Sequence, residues 1–299
     1  MKQNKALIYL APALAVLFWG MSYIWADSLI GNGIPVFYFV FVRILFAGII
    51  MLLLNLVTSG LQPIRRKDIP KFFLVSFCEP FIYFICETYG IKATGSPTLS
   101  ALIIATIPIF SIGAGIIFFK EKITRLNCIG MLMSLVGIVL VAMSKGELGE
   151  NFIWGIILLF IAVLSEVGHA SLTRSLVDSY SSQNIVMYQF LIGSLYLLPL
   201  FLWKGLGSFD ASVYLSIDVW IPILCLAILC SSVAFTLWVS TIKSLGVAKS
   251  SIFSALIPVV SALIAWVIGR EVLTTRQWIG IAIAVLGVIL SQYVSKETR

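Results

Sequence analysis

Apolar runs long enough to cross a membrane follow one another along almost the whole chain, with short polar connections between them. A helix needs roughly 20 apolar residues to cross the ~30 Å hydrocarbon core of a bilayer. The pattern therefore predicts an all-α membrane protein whose ten transmembrane helices form a compact bundle. The predicted spans are residues 7–26, 35–57, 71–90, 97–119, 126–144, 152–173, 184–203, 218–240, 248–269 and 276–294.

Composition supports a membrane protein. The 299-residue chain is 60% hydrophobic and 11% charged, whereas a soluble domain carries about 25% charged residues. The net charge of +7 comes from basic residues between the apolar runs, which indicates membrane topology rather than nucleic-acid binding. The five cysteines form no C-x-x-C pair, which argues against a disulfide framework or a zinc site.

The basic residues also predict the orientation, because lysine and arginine favour cytoplasmic connections. With the N-terminus inside, fourteen of the 20 basic residues fall on the cytoplasmic side, five fall outside, and Arg43 lies within the second span. Both termini are therefore predicted to be cytoplasmic. The expected location is the cell membrane, as a multi-pass protein of a bacterial inner membrane.

One stretch of the chain, 105–140, recurs after a shift of 150 positions without a gap. A Pro, a Glu, a Thr and two Gly residues keep the same register, which indicates a duplication. The matched pairs are Pro108 and Pro258, Glu121 and Glu271, Thr124 and Thr274, Gly130 and Gly280, and Gly137 and Gly287. The duplication predicts two five-helix repeats, 1–147 and 148–299. Because five is odd, the repeats must be inverted, an arrangement that recurs in secondary transporters.

These features resemble the EamA family of the drug/metabolite transporter superfamily. The resemblance is carried by the ten helices in two halves, each closing with Pro, Glu-x-x-Thr and two Gly spaced by seven, and by Phe18-Trp19-Gly20 and Arg43. It implies a central cavity lined mainly by helices 1, 3, 4, 6, 8 and 9, with helices 5 and 10 left for packing or for contacts in a homodimer. It also implies transport of small metabolites, commonly amino acid export.

Charged residues inside the spans are the first candidates for chemistry, since a charge deep in a bilayer usually faces a cavity or a partner. Glu79, Tyr83 and Glu87 form one stripe of the third span, and Glu166 and His169 share a face of the sixth. Glu79, Glu166 and His169 are predicted to line the cavity and to bind a substrate ammonium group or exchange protons. The alternative is that they pair with Arg43 or cap neighbouring polar groups. Glu87, nearer the outer face, is expected to reach water.

The remaining candidates are Arg43, Trp19, Tyr23 and Trp238. Arg43 is interpreted as a counter-ion of one carboxylate or a snorkelling anchor, with recognition of a substrate carboxylate as the alternative. The three aromatic residues, which belong to the first and eighth spans, are candidates for a cavity wall that stacks on a flat or cationic substrate. Packing in the core or against lipid explains them equally well.

The function expected from the sequence is secondary transport, with export of amino acids or similar small metabolites ahead of broad export of apolar drugs, and import third. The expected partners are an amino-acid-like metabolite and membrane lipid. An intramembrane enzyme is disfavoured, because His169 is the only histidine and no nucleophile-elbow motif is present. We expect no cofactor and no resident metal ion, and the absence of a G-x-x-x-x-G-K-[ST] loop argues against ATP as the energy source.

The orientation leads to a direct prediction for the basic turn Gln62 to Pro70, which contains Arg65, Arg66 and Lys67. A single cysteine placed in this turn should react with a membrane-impermeant thiol reagent only when the reagent reaches the cytoplasmic face. Inside-out and right-side-out vesicles provide the comparison. Modification from the outside would overturn the topology.

Overall fold

The computed structural model describes residues 5–58, 60–111, 124–143, 151–206, 214–245, 250, 253–269 and 272–291. Within these ranges the regular structure is entirely helical, which confirms the predicted all-α class. The helices are α1 (Lys5–Gly31), α2 (Val36–Val57), α3 (Arg66–Thr94), α4 (Pro97–Ser111), α5 (Arg125–Ala142), α6 (Phe152–Arg174), α7 (Ser182–Gly205), α8 (Ile217–Leu245), α9 (Ile257–Val267) and α10 (Thr275–Ser291).

Seven of these helices are long and apolar enough to cross a membrane, whereas the described parts of α4, α9 and α10 are shorter. The chain is a multi-pass membrane protein, while the count of ten crossings stays a prediction. Glu121 and Glu271, the acids of the two predicted hairpins, lie outside the described residues.

The packing of the helices repeats with a period of five along the chain. The neighbours of a helix in one half are the counterparts of the neighbours of the corresponding helix in the other half. Helix α1 packs against α8 and α9, and its counterpart α6 packs against α3 and α4. Three further contacts each join a helix to its own counterpart in the other half: α2 with α7, α4 with α9 and α5 with α10. This packing is the one expected for two related halves. The boundaries of the repeats, 1–147 and 148–299, stay a prediction.

Helices α5 and α10 approach so closely that their glycines cannot carry a side chain. A Cβ atom on Gly137 would lie 2.5 Å from the backbone oxygen of Gly280, and one on Gly287 would lie 2.7 Å from that of Gly130. Because the early part of α5 meets the late part of α10, the two helices run antiparallel. Opposite directions are what an inverted pair of five-helix repeats requires.

Both helices also begin in the same way. At α5, Thr124 Oγ1 accepts a hydrogen bond from the backbone amide of Asn127, whose side-chain oxygen accepts one from the Thr124 amide. Thr274 and Gln277 repeat this capping arrangement at α10. The threonines that aligned in the sequence therefore have one structural role, which is to satisfy backbone amides at a helix start.

Two helices contain a π-helical segment where they face the centre of the bundle. Helix α3 has a π-helical segment, Phe77–Ile82, in which Glu79 adopts non-helical φ/ψ angles of −141° and 121°. Helix α8 has a π-helical segment at Leu226–Val233. An interruption frees carbonyl groups from the helical hydrogen-bond ladder, and inside a membrane they must find partners in the protein.

A carbonyl in each segment accepts a hydrogen bond from the opposite half of the chain. The Cys78 carbonyl of α3 accepts a hydrogen bond from Ser165 Oγ of α6 at 2.8 Å. The Cys230 carbonyl of α8 accepts one from Trp19 Nε1 of α1 at 3.1 Å. In each case the first helix of one half supplies the donor to the third helix of the other.

A buried polar network ties the halves together at the end predicted to be cytoplasmic. Asn184 donates from Nδ2 to Asn55 Oδ1 at 3.0 Å, and its own Oδ1 accepts from the Gln62 amide at 3.0 Å. The Tyr180 hydroxyl donates to Asp68 Oδ2 at 3.0 Å. The network fixes the connection between α2 and α3 against the start of α7.

The contact between α5 and α10 can be tested with Gly137→Ala. The new methyl group would meet the backbone of α10, and overpacking of this kind costs about 1–3 kcal/mol, so we expect a lower melting temperature in detergent. Gly31→Ala is the matched control, because a Cβ there has nothing within 4 Å. Equal melting temperatures for the two variants would contradict the packing described here.

Candidate functional site

The centre of the bundle holds a cavity of about 750 Å³ including its opening. Its lining comes from α1, α2, α3, α4, α6 and α8 and from residues at and just before the start of α9. Seven of the eight residues predicted for the site belong to the lining: Trp19, Tyr23, Arg43, Glu79, Tyr83, Glu166 and Trp238. His169, the eighth, is 1% exposed and lies behind Glu79 and Glu166.

The most unusual feature of the site is a triad of Glu79, Glu166 and His169. His169 Nδ1 lies 2.8 Å from Glu166 Oε2 and 3.0 Å from Glu79 Oε2. Glu79 is 3% exposed. The two acids, which belong to different halves of the chain, therefore share one imidazole nitrogen in the interior of the bundle.

Local structure positions each member of the triad. The interruption of α3 at Glu79 sets this residue out of the regular helix, next to the Cys78 carbonyl that Ser165 of α6 holds. Glu166 and His169 lie three residues apart on α6, which puts them on one face of the helix. Thr173 Oγ1, one turn further, lies 3.2 Å from His169 Nε2.

The triad has too few hydrogens for its acceptors. Nδ1 of an imidazole carries at most one hydrogen, and the oxygen of Glu166 is the nearer of its two neighbours. Glu79 Oε2 is accordingly buried without a hydrogen bond. A buried carboxylate oxygen is costly to leave unpaired, so the arrangement is suited to taking up a further cation or proton.

A second polar group lies on the same cavity, formed by Arg43, Tyr83 and Glu87. The Tyr83 hydroxyl donates to Glu87 Oε1 at 2.9 Å. Arg43 donates from Nε to Ser231 Oγ at 2.8 Å, and its guanidinium lies 4.1 Å from the centre of the Phe84 ring.

Two expectations about this group change. Glu87 does not reach bulk water, because it is 6% exposed inside the bundle and bonded to Tyr83. Arg43 is not a snorkelling anchor, since it is 3% exposed. Within the described part of the chain, no carboxylate oxygen lies within the 4.0 Å of an ion pair with it. Ser231 and the ring face of Phe84 hold Arg43 instead, and the residue contributes to the cavity lining.

Aromatic rings form the wall between the polar groups. Trp19 meets Phe235 and Trp238 edge to face, with ring centres 5.2 Å and 5.0 Å apart. The indole nitrogen of Trp19 is held by the Cys230 carbonyl. These rings are rigid and apolar, and their faces favour a cation or a flat apolar group.

Sequence reasoning missed several residues of the site, among them Thr173, Ser165, Ser231, Phe84 and Phe235. The sequence contained a signal for Thr173, because this residue follows His169 by four positions and therefore lies on the same face of the helix. The sequence also contained a signal for Phe235, because it lies three residues before Trp238 and shares its helical face. Ser165 and Ser231 had none, because their partners lie 87 and 188 residues away in the chain.

The triad also forms a set of metal-ligand atoms. One atom each from Glu79, Glu166 and His169 lies within 4.8 Å of the others. The sequence analysis expected no resident metal ion, whereas the structure brings an acid of α3 together with the Glu-x-x-His pair of α6.

A multi-pass helical bundle around a buried, charged and aromatic cavity is the architecture of a membrane transporter. The chain belongs to the EamA-like transporter family, whose model matches residues 6–143 and 153–293. The family and the transporter names of its relatives point to a transporter rather than an enzyme.

Relatives with similar sequences carry transporter names. The chain is 28% identical over 300 residues to "Uncharacterized transporter YetK" of Bacillus subtilis, covering 99% of this chain and 89% of that protein. It is 26% identical over 232 residues to the "Probable terminal-alkyne amino-acid exporter" of Streptantibioticus cattleyicolor, covering 77% and 75% of the two chains. A solved crystal structure that is 17% identical superimposes with a TM-score of 0.70 over 96% of both chains, which supports the fold alone.

The interruption of α3 can be tested through Ser165→Ala, which removes the donor to the Cys78 carbonyl. The Cys78 carbonyl keeps the backbone amide of Tyr83 as a donor, and the loss of one hydrogen bond costs about 0.5–1.5 kcal/mol, so we expect a slightly lower melting temperature and faster hydrogen exchange around Phe77–Ile82. Ser171→Ala is the control, because that exposed serine bonds only the backbone of its own helix. Identical exchange in both variants would show that Ser165 does not hold the segment.

Proposed function

We propose that this protein is a secondary transporter that exports amino acids or similarly small amine-bearing metabolites by alternating access. In this proposal Glu79, Glu166 and His169 bind the substrate ammonium group and exchange it for protons. The observation that carries the proposal is the convergence of two acidic oxygens at the cavity wall on His169 Nδ1, Glu79 Oε2 at 3.0 Å and Glu166 Oε2 at 2.8 Å.

The charge of the triad supports a positively charged partner. With both acids ionised and His169 protonated, the group carries one net negative charge, which is expensive in a membrane interior. A substrate ammonium or a further proton neutralises it. Because both neutralise the same charge, the two compete, and competition of this kind couples substrate movement to proton movement.

The remaining lining supports a substrate with an apolar body. Trp19, Phe235 and Trp238 offer rigid aromatic surfaces close to the charged groups. Arg43, whose described contacts include no ion pair, is available for a carboxylate at the other polar group. An amino acid presents all three features: an ammonium group, a carboxylate and a side chain of variable polarity.

Breaks at equivalent positions of α4 and α9 support a moving part. Helical geometry in α4 is interrupted at Ala105 and Thr106, and the chain before α9 is interrupted at Ala255 and Leu256, 150 positions later. A proline follows each break by two or three residues, and proline removes a backbone donor. We assign these breaks as hinges of alternating access.

The cavity extends towards Ile242, near the end of α8, and Ser250, before α9. In the predicted topology this end faces the cytoplasm. An exporter loads its substrate from this side. Broad export of apolar drugs is the alternative that the aromatic wall supports, but it leaves the buried acids without a role.

Glu79→Gln tests the proposal in proteoliposomes that contain a pH-sensitive dye. An imposed gradient of each member of a panel of amino acids and amines should drive a proton flux through the wild-type protein. In the variant we expect the flux to fall to the level of empty liposomes, because an amide cannot exchange the proton.

Asp178→Asn is the control, since Asp178 is an exposed acid at the protein surface and its flux should equal that of the wild type. Normal coupled flux through a well-folded Glu79→Gln variant would overturn the proton role. Movement of labelled substrate without any proton flux would make the protein a uniporter or exchanger.

A further inference from the structure

We propose that Glu79, Glu166 and His169 form a binding site for one divalent transition-metal ion of the Mn²⁺ to Zn²⁺ series. The ion would take the place of protons at the triad and is distinct from the transported substrate.

The donor geometry suits a single ion. In a four-coordinate site with bonds of about 2.0–2.1 Å, neighbouring ligand atoms lie about 3.3 Å apart. His169 Nδ1 lies 2.8 Å and 3.0 Å from the two acidic oxygens, and one donor atom of each residue lies within 4.8 Å of the others. Small side-chain adjustments therefore bring the three donors around one centre.

The hydrogen bonds of the triad also favour a single bound ion. If His169 donates from Nε2 to Thr173 Oγ1, which lies 3.2 Å away, a neutral imidazole carries no hydrogen on Nδ1. Release of the hydrogen that Nδ1 shares with Glu166 then leaves three lone-pair donors converging on one buried point. Glu79 Oε2 is buried and makes no hydrogen bond, although it lies 3.0 Å from Nδ1, so it is the donor with the most unused capacity.

Charge balance favours a divalent ion. Two ionised carboxylates and a neutral imidazole carry two negative charges, and one divalent ion makes the group neutral. Without a divalent ion, the group becomes neutral only when it binds two protons. Since an uncompensated charge in the membrane interior is costly, a divalent ion and a pair of protons are equivalent occupants of the site.

The ligand types narrow the choice of ion. Calcium takes six to eight oxygen ligands and magnesium keeps most of its water, so neither matches a site with one imidazole and two carboxylates. Imidazole combined with carboxylates suits Mn²⁺, Fe²⁺, Co²⁺ and Zn²⁺. Thr173, at Nε2, has the position of the outer partner that fixes the tautomer of a ligating histidine.

The site is accessible. Glu79 and Glu166 both contribute to the cavity lining, so an ion can approach from the cavity while His169 lies behind. The cavity side also leaves coordination positions open for water, as in sites with three protein ligands.

Equilibrium dialysis of the purified, detergent-solubilised protein against Co²⁺ tests the proposal directly. Cysteines are first blocked with N-ethylmaleimide, because Cys128 is exposed and thiolates also bind cobalt. We expect one ion per chain, with the visible absorption of cobalt bound by nitrogen and oxygen. Affinity should fall as the pH is lowered, because protons compete for the same donors.

Glu79→Gln and His169→Gln should each abolish the stoichiometric ion and its absorption. Glu87→Gln should retain both, because Glu87 is a buried acid of the same cavity outside the triad. Thr173→Val should weaken binding about 10–100-fold, as expected for an outer partner, and Thr173→Ser should restore it.

Absence of a stoichiometric ion in the wild type, or binding unchanged by Glu79→Gln, would overturn the proposal. Glu166→Gln provides a further ligand variant if His169→Gln fails to fold, as judged by its melting temperature. Because binding is measured without substrate or gradient, its failure leaves the transport proposal standing. Intact metal binding in a protein that moves no substrate would contradict the transport proposal alone.

Discussion

Inside a bilayer a polar group cannot form hydrogen bonds with water, so it must find a partner within the protein. This constraint explains the polar contacts at the centre of the bundle. Helix α3 leaves helical geometry at Glu79, which frees backbone groups at a depth where an unpaired carbonyl is costly. Ser165 of α6 bonds the carbonyl beside the break, and His169 of the same helix meets the carboxylate that the break sets apart. Each half of the chain therefore supplies what the other half lacks.

The two halves of the chain have similar packing but present different functional side chains to the cavity. Cys78 in α3 and Cys230 in α8 both present a carbonyl to a side chain from the first helix of the opposite half. The next residue differs between the halves, since Glu79 follows Cys78 and Ser231 follows Cys230. Glu79 enters the acidic triad, whereas Ser231 holds Arg43. A similar construction thus leads to an acid of the triad in one half and to the serine that holds Arg43 in the other.

The packing separates a tightly joined frame from parts with fewer restraints. Glycine contacts join α5 to α10, and buried amides join the connection before α3 to the start of α7. The cavity instead borders the interrupted regions of α4 and α9. A transporter needs both kinds of element, because the frame must keep its contacts while the access to the site changes.

Much of this organisation was readable from the sequence, because its causes are local. A membrane-spanning helix is specified by the length and polarity of one stretch, and the repeated glycines and capping threonines keep a fixed register that survives in the structure. The same logic marked Glu79, Glu166 and Arg43 as costly charges that need a cavity or a partner. Their roles in transport stay predictions.

Tertiary structure alone decided which of these groups meet. The hydrophobic pattern sets the face of a helix but not its rotation against a distant neighbour, so it did not reveal that Glu79 and Glu166 share one imidazole nitrogen. Nor did it reveal that Arg43 rests on Phe84 and Ser231, or that Glu87 is buried with Tyr83. These pairings depend on the break in α3 and on contacts between residues far apart in the chain. A local pattern carries no record of such contacts.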